Sequence, residues 1–96
     1  MIIDVRTPEE YEEGHVRGAV NIPVGDIEEG HFGALADGGK DIPLQLYCRS
    51  GARSAYACAL LQSAGFTSVT NLGSMDAATV FADEVNEDID EAHYSY

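Results

Sequence analysis

Residues 44–61 read LQLYCRSGARSAYACALL, and their pattern predicts a strand, a turn and a helix at the centre of the fold. Leu44–Tyr47 is a short apolar run of the kind that forms a buried strand. Gly51 permits the unusual backbone angles of a sharp turn. Apolar residues then recur at helical spacing over residues 51–64, which predicts a helix. The predicted centre of the molecule is therefore a strand that delivers Cys48 to the start of a helix.

The spacing of the apolar residues also predicts which side of this helix faces the core. We expect that side to be formed by five residues and widened by three more: Ala52, Ala55, Tyr56, Ala59 and Leu60, with Ala57, Cys58 and Leu61. Gly65 is a natural end for the helix.

Upstream of this stretch the pattern is again a strand followed by a helix. Residues 2–6 form a short apolar run that predicts a buried strand. Thr7 is suited to cap a helix, because Pro8 fits the first helical position and Glu10 completes a capping box. Gly14 is expected to end this helix in a left-handed conformation.

The remaining segments continue the alternation. A second strand is predicted around residues 19–22, and one or two short helical turns within residues 24–41. A fourth strand is predicted over residues 67–72, where β-branched residues are common. Ser74 then caps a helix that runs to about Val85, and the acidic tail of residues 86–96 is a candidate for fraying.

Strands that alternate with helices predict an α/β fold. We expect a mainly parallel sheet of four to five strands, covered by helices on both faces. In such sheets ligands bind beyond the carboxyl ends of the strands, where Cys48 is placed. The chain of 96 residues is long enough for one domain, which we assign to residues 1–96.

Composition narrows the class of partner. Seventeen acidic residues face five basic ones, for a net charge of −12. Nucleic acid and anionic membrane surfaces are therefore not expected as partners, because both need a basic face. No apolar run approaches the roughly 20 residues of a membrane helix. We expect a cytoplasmic protein, with the periplasm as the alternative if a leader has been removed. The sequence does not predict the oligomeric state.

The turn after Cys48 carries the chemistry. Backbone N–H groups at a helix start, together with the positive end of the helix dipole, favour a thiolate over a thiol. Arg49 and Arg53 flank the turn, and their guanidinium groups are suited to bind an anionic substrate. Cys48 is therefore predicted to be a reactive nucleophile at neutral pH.

Several segments in order resemble the rhodanese-like domain family. They cover most of residues 2–75 and read IDVRTPEEY (3–11), GHVRGAVNIP (14–23), YCRSGARS (47–54), GF (65–66) and VTNLG (69–73). The resemblance implies a single-domain sulfurtransferase in which Cys48 is catalytic. It also implies an active-site loop that presents its backbone N–H groups to a persulfide; the loop residues are Arg49, Ser50, Gly51, Ala52 and Arg53.

The resemblance further implies a reaction in two displacements. Sulfur passes from thiosulfate or a related donor to Cys48, and then to an acceptor such as cyanide, a thiol or another protein. No cofactor is implied. A metal site is not expected, since no Cys-x-x-Cys or His-x-x-x-His spacing occurs. Where the family commonly has Gly-Gly and then a tryptophan, this chain has Gly73-Ser74-Met75-Asp76.

Four other residues have a structural and a functional interpretation. Asp4 and Arg6 match the family's Asp-Val-Arg segment, and we expect them to brace loops at the rim of the sheet rather than to act on substrate. His15 is expected to hold the turn before the second strand. Cys58 is expected to be a buried helical cysteine rather than a resolving thiol.

Two other functions stay open on the sequence. One is a module that keeps the fold but only binds, or that passes sulfur to one specific protein. The other is a phosphatase or arsenate reductase with a related cysteine loop. Those loops have five residues between the cysteine and an arginine. Here four residues separate Cys48 from Arg53, so the spacing favours sulfur transfer over this function.

Overall fold

The computed structural model describes residues 1–36 and 38–94, with side chains as far as residue 84. In this part of the chain four strands alternate with four α-helices, and a short 3₁₀ helix precedes the third strand. The elements are β1 (Ile2–Asp4), α1 (Pro8–Glu13), β2 (Val20–Asn21), α2 (Val24–Glu28), the 3₁₀ helix (Gly33–Leu35), β3 (Leu44–Tyr47), α3 (Ala52–Ser63), β4 (Val69–Gly73) and α4 (Met75–Tyr94).

The four strands form one parallel sheet in the order β2-β1-β3-β4. Tyr47 at the end of β3 lies opposite Asp4 of β1 on one side and Gly73 of β4 on the other. The carboxyl ends of three neighbouring strands therefore meet at one edge. The predicted α/β fold is confirmed, with four strands.

The sheet has a hydrophobic core on each face. Because side chains alternate along a strand, Ile3 and Leu46 point to one face, where they pack with residues of α2 and α3. Ile2 and Tyr47 belong to the second core, which includes Ala78 and Ala82 of α4. The prediction that helices cover both faces is confirmed. Within the described residues, no helix combines the length and the apolar character needed to cross a bilayer.

The core-facing side of α3 agrees with the prediction at Ala57, Cys58 and Leu61 and differs from it elsewhere. Its buried residues are Ser54, Ala57, Cys58 and Leu61, whereas Ala52, Ala55, Tyr56 and Ala59 are exposed and Leu60 is half-buried. The buried positions also follow helical spacing, at i, i+3, i+4 and i+7. The prediction chose the side with more apolar residues. It failed because the buried side includes a serine, whose hydroxyl has partners inside the fold.

The ends of two helices also differ from expectation. The capping box of α1 is confirmed, since Thr7 Oγ1 accepts from the N–H of Glu10 and Glu10 Oε1 accepts from the N–H of Thr7. Gly14 follows α1 with φ 158° and ψ 136°, so it is extended rather than left-handed. Helix α4 continues to Tyr94, past the predicted end near Val85. Side chains from residue 85 onward, and residues 95 and 96 altogether, lie outside the described part, as do the predictions made for that tail.

A buried polar network holds the carboxyl edge of the sheet. The Asp4 carboxylate is 0% exposed and accepts from Nε and Nη2 of Arg6 at 2.7 to 3.1 Å. It also accepts from the Tyr47 hydroxyl at 2.8 Å, and that hydroxyl accepts from the N–H of Val16 at 3.0 Å. Arg6 Nη2 donates to the Gly14 carbonyl at 2.7 Å. The network ties β1, β3 and the segment before β2 together, and burial raises the pKa of Tyr47 to about 12.

Replacing Tyr47 with phenylalanine should lower the free energy of unfolding by about 1–3 kcal/mol, because it strands a buried N–H group and removes one donor from a buried carboxylate. The matched control is Tyr56→Phe, since Tyr56 is 49% exposed and its hydroxyl donates to Glu28 at the surface. That change should leave the free energy of unfolding nearly unchanged, because a hydroxyl at the surface exchanges its partner for water. Denaturant unfolding of both variants measures the difference. Equal costs would contradict the role given to the network.

Candidate active site

Cys48 lies where β3 ends, between the edge strand β4 and the start of α3. Its N–H donates to the carbonyl of Gly73 at 3.0 Å, which extends the pairing of the two strands by one residue. Gly51 then turns the chain into α3 with φ 101° and ψ −11°. A Cβ atom on Gly51 would lie 3.3 Å from Gly73 Cα. Glycine is therefore required there both for the positive φ and for the close approach of β4.

The sulfur of Cys48 occupies the amino end of α3. The N–H of Gly51 donates to Sγ at 3.0 Å and the N–H of Ser54 donates at 3.4 Å. The Ser54 hydroxyl lies 3.5 Å from Sγ. No side chain caps α3 at Gly51. The sulfur therefore takes the place that a capping oxygen usually fills, and it accepts from N–H groups that the helix cannot satisfy itself.

This environment lowers the pKa of Cys48. Burial on its own raises that pKa, but the hydrogen bonds of the Ser54 hydroxyl and of the N–H groups of Ser54, Gly51 and Ser50 outweigh it. By contrast, burial raises the pKa of Cys58 to about 11, and Cys58 lies in the core below α3. The two cysteines thus differ in ionisation, with Cys48 the stronger candidate for a nucleophile.

Arg53 is engaged by a carboxylate. Its Nη1 and Nη2 donate to the two carboxylate oxygens of Glu10 at 2.7 and 3.1 Å. The hydrogen bonds from Arg53, followed by the one from the N–H of Thr7, lower the pKa of Glu10 to about 2. The same carboxylate therefore caps α1 and ties that helix to the loop after Cys48. The role of Arg53 as a contact to substrate stays a prediction.

A cavity of about 350 Å³ opens beside the loop, between the end of α1 and the start of α4. Its lining residues are Arg6, Glu10, Glu13, Gly14, Arg49, Ser74, Met75 and Asp76. The segment Gly73-Ser74-Met75-Asp76, which departs from the family pattern, thus provides one wall. Cys48 is 1% exposed and is not among the lining residues, whereas its neighbour Arg49 is.

The charges in the cavity divide into engaged and available groups. Arg6 is engaged by Asp4, and Glu10 by Arg53. In the part of the chain that the structure describes, Arg49, Glu13 and Asp76 form no ion pair. Arg49 is therefore the predicted loop residue whose positive charge is available to a small anion, while two carboxylates in the same wall oppose that anion.

The other predicted residues of the site have structural positions. Asp4 and Arg6 brace the rim of the sheet, as expected. Ala52 is the exposed first residue of α3, and Ser50 forms an isolated bridge with Ser74 across the loop. His15 Nδ1 donates to the carbonyl oxygen of Tyr11 at 2.9 Å, and the His15 ring stacks on the Tyr11 ring, in keeping with the expected role in the turn.

Three residues of the site were missed by the sequence analysis. Ser54 lies beside the sulfur, and its hydroxyl donates to Asn71 Oδ1 at 2.6 Å. Glu10 was recognised only as a helix cap. A signal for Ser54 was present, because it shares a helical face with Ala57, Cys58 and Leu61. Asn71 is a polar residue near the carboxyl end of a parallel strand, where functional side chains collect.

One group of potential metal ligands occurs among the described residues. One ligand atom each of Asp26, Glu29 and His31 lies within 4.8 Å of the others, and all three residues are exposed. None of them lines the cavity. Exposed acidic groups of this kind are common on protein surfaces, and the group does not by itself indicate a metal site.

Known sequences that resemble this chain are rhodanese-like domains and proteins named sulfurtransferases. A model of the rhodanese-like domain matches residues 1–78. The thiosulfate sulfurtransferase PspE of Escherichia coli K12 is 40% identical over 73 residues, covering 76% of this chain and 68% of that protein. A sulfurtransferase of Allochromatium vinosum is 38% identical over 72 residues, covering 75% of this chain and 64% of that protein. The chain thus spans about two thirds of the length of these relatives.

Solved structures give the same result. A rhodanese from E. coli, determined with anions, is 38% identical and superposes with a TM-score of 0.69 over 79% of this chain and 87% of that one. The human single-domain sulfurtransferase TSTD1 is 32% identical, with a TM-score of 0.62 over 73% of this chain and 71% of that one.

Glu10 should make stability depend on pH in acid. The pKa of Glu10 in the folded protein is about 2, below the ordinary value of 4.5, so the unfolded chain binds more protons between these pH values. The stability that Glu10 provides is fully present above about pH 4.5 and is lost as the pH falls toward 2. The difference in unfolding midpoint between the unaltered protein and Glu10→Gln should therefore shrink over that window. In an Arg53→Met background the difference should be small throughout, and an undiminished difference there would contradict the assignment.

Proposed function

Because the chain belongs to the rhodanese-like domain family, we propose that it is a sulfurtransferase that carries sulfur as a persulfide on Cys48. The observation that supports this proposal best is the position of Sγ. It accepts hydrogen bonds from the N–H groups of Gly51 and Ser54 at the amino end of a helix. Such a position stabilises negative charge on sulfur without a metal or a cofactor.

In the first step, the thiolate of Cys48 attacks the outer sulfur of thiosulfate. A bond forms between Sγ and that outer sulfur, the S–S bond of thiosulfate breaks, and sulfite leaves with the bonding electron pair. The electron pair that leaves gives sulfite its second negative charge, and the outer sulfur of the persulfide keeps the negative charge that it had in thiosulfate, while Sγ becomes neutral. The exposure of Cys48 is 1%, which favours a small donor that can approach beside the loop.

In the second step, an acceptor takes the outer sulfur. A nucleophile such as cyanide or a thiolate attacks it, the bond to Sγ breaks, and the electron pair returns to Sγ. Cys48 thiolate is now the leaving group, and the N–H groups that lower its pKa also help it to leave. Two displacements through a covalent intermediate predict ping-pong kinetics.

The donor is held by few charges. Arg49 lines the cavity with no carboxylate partner in the described structure, so it is the residue we assign to bind the sulfonate oxygens of thiosulfate. Arg53 has two of its donors on Glu10. The arrangement also argues against a phosphatase, in which a loop arginine must bind a phosphate dianion above the sulfur.

Treatment with thiosulfate should add one sulfur atom to the intact mass of the protein. The addition, and the transfer of sulfur to cyanide, should be lost in Cys48→Ser and kept in Cys58→Ser, because only Cys48 lies at the amino end of α3. Loss in both variants would show that the nucleophile is assigned too narrowly. A mass increase without transfer to cyanide would instead favour a carrier that serves one protein acceptor. No mass increase would favour a binding module.

Charge in the cavity wall should tune the binding of thiosulfate in both directions. Arg49→Met should raise the KM for thiosulfate about tenfold, which corresponds to the loss of one charge-assisted hydrogen bond, and Arg49→Lys should restore part of it. Glu13→Gln should lower the KM, because it removes a repelling carboxylate. The control is Glu12→Gln, which removes the same charge from an exposed residue that is not part of the wall. A similar change in KM for Glu12→Gln and Glu13→Gln would show that the change comes from the net charge of the protein and not from a carboxylate in the cavity wall.

A further inference from the structure

The Ser54 hydroxyl has more acceptors than hydrogens. Ser54 is 0% exposed, and its Oγ lies 2.6 Å from Asn71 Oδ1, 3.1 Å from the Gly51 carbonyl oxygen and 3.5 Å from Cys48 Sγ. A hydroxyl has one hydrogen to donate and two lone pairs. At any moment it can therefore donate to one of these three atoms.

The orientation of Asn71 follows from the backbone around it. Oδ1 accepts from the N–H of Gly73 at 2.9 Å, and a backbone N–H can only donate. Nδ2 donates to the carbonyl of Gly51 at 3.3 Å, which can only accept. These two contacts fix which end of the amide is oxygen. Since Oδ1 cannot donate, the short contact between Ser54 and Asn71 must be a hydrogen bond from Ser54.

With its hydrogen on Asn71, the Ser54 oxygen presents lone pairs to Cys48. In that state it can accept the S–H of a neutral thiol. A thiolate has no hydrogen and needs donors, so the same hydroxyl stabilises the thiolate only if it turns away from Asn71. The two protonation states of Cys48 therefore require opposite orientations of one hydroxyl.

We propose that Ser54 is a positioning residue whose hydroxyl rotates, so that it donates a hydrogen bond either to Asn71 Oδ1 or to Cys48 Sγ as the charge on that sulfur changes. The inference rests on the proposed function. In the resting thiolate the Ser54 hydroxyl donates its hydrogen bond to Sγ. When the persulfide forms, the negative charge lies on the outer sulfur and the hydroxyl donates to Asn71 again. When the acceptor removes the outer sulfur, the charge returns to Sγ and the hydroxyl again donates to Sγ.

Asn71 is thus a competitor for the hydrogen, and this gives the two residues opposite effects. Ser54→Ala removes a donor to the thiolate and should raise the pKa of Cys48 by about one unit, a tenfold change in its ionisation constant. Asn71→Ala removes the nearer of the two competing acceptors, at 2.6 Å against 3.1 Å for the Gly51 carbonyl oxygen, and should lower that pKa. In the double variant Ser54→Ala/Asn71→Ala, the pKa should equal that of Ser54→Ala alone, because Asn71 acts through the hydroxyl.

The dependence of the alkylation rate of Cys48 on pH, measured with iodoacetamide in a Cys58→Ser background, gives these pKa values. Ser54→Thr keeps the hydroxyl and should restore the original value. Ser63→Ala makes the same substitution at an exposed position of α3 and should leave the pKa unchanged. Thermal midpoints recorded in parallel separate a loss of stability from a change in ionisation, since a merely structural role would move the midpoints alone.

The two half-reactions supply a second signature. A more basic thiolate is a better nucleophile and a poorer leaving group. Well above the pKa of Cys48, Ser54→Ala should therefore load sulfur from thiosulfate somewhat faster and discharge it to cyanide more slowly. Single-turnover measurements of each step would show this split.

A rise in the Cys48 pKa for Asn71→Ala would overturn the proposal. So would a pKa shift of the double variant that equals the sum of the two single effects. So would an unchanged pKa in Ser54→Ala. The alkylation profile does not require sulfur transfer, so it can fail while the mass increase with thiosulfate succeeds. If the mass increase fails while the pKa values move as expected, the ionisation argument stands and the proposed function does not.

Discussion

The Asp4 carboxylate is a full negative charge buried at the edge of the sheet where β1, β3 and β4 end. An isolated charge in that position would cost several kcal/mol, so its neighbours must satisfy it. Arg6 does so from the segment directly after β1, and Tyr47 does so from the adjacent strand β3. Because Tyr47 also accepts from Val16, and Arg6 donates to Gly14, the segment between α1 and β2 is fixed by the same charge. Tyr47 is the residue directly before Cys48, so the position of the nucleophile depends on this network.

The loop after Cys48 is held by backbone contacts rather than by side-chain charge. A Cβ atom on Gly51 would lie 3.3 Å from Gly73 Cα, which is closer than an ordinary contact. The N–H of Cys48 donates to the carbonyl oxygen of Gly73. Helix α3 can therefore begin directly beside the strand end, with its first N–H groups at the sulfur. Arg53, for which the sequence predicts a contact to substrate, also joins the loop to α1 through Glu10.

The sequence allowed the elements, their order and the position of Cys48 at the end of a strand to be predicted, because each depends on local patterns. The capping box of Thr7 and Glu10 and the strand Leu44–Tyr47 are such cases. What it did not predict depends on contacts between distant segments. The burial of Ser54 is explained by Asn71, 17 residues away, and the engagement of Arg53 by Glu10, 43 residues away. An apolar count along α3 favoured the wrong side for this reason: the polar partner that makes the serine side favourable comes from another strand.

The geometry of the site also suggests how a protein with a net charge of −12 would hold the anionic intermediate that we propose. Two of the arginines around the site are neutralised by carboxylates, and Sγ is surrounded by N–H and O–H dipoles. A fixed positive charge against Sγ would stabilise the resting thiolate most strongly and would weaken it as a nucleophile. Dipoles stabilise the charge less, and one of them, the Ser54 hydroxyl, has Asn71 as a second acceptor when the charge leaves. In a cycle that moves one negative charge from Sγ to an outer sulfur and back, an environment that can follow the charge keeps both steps accessible.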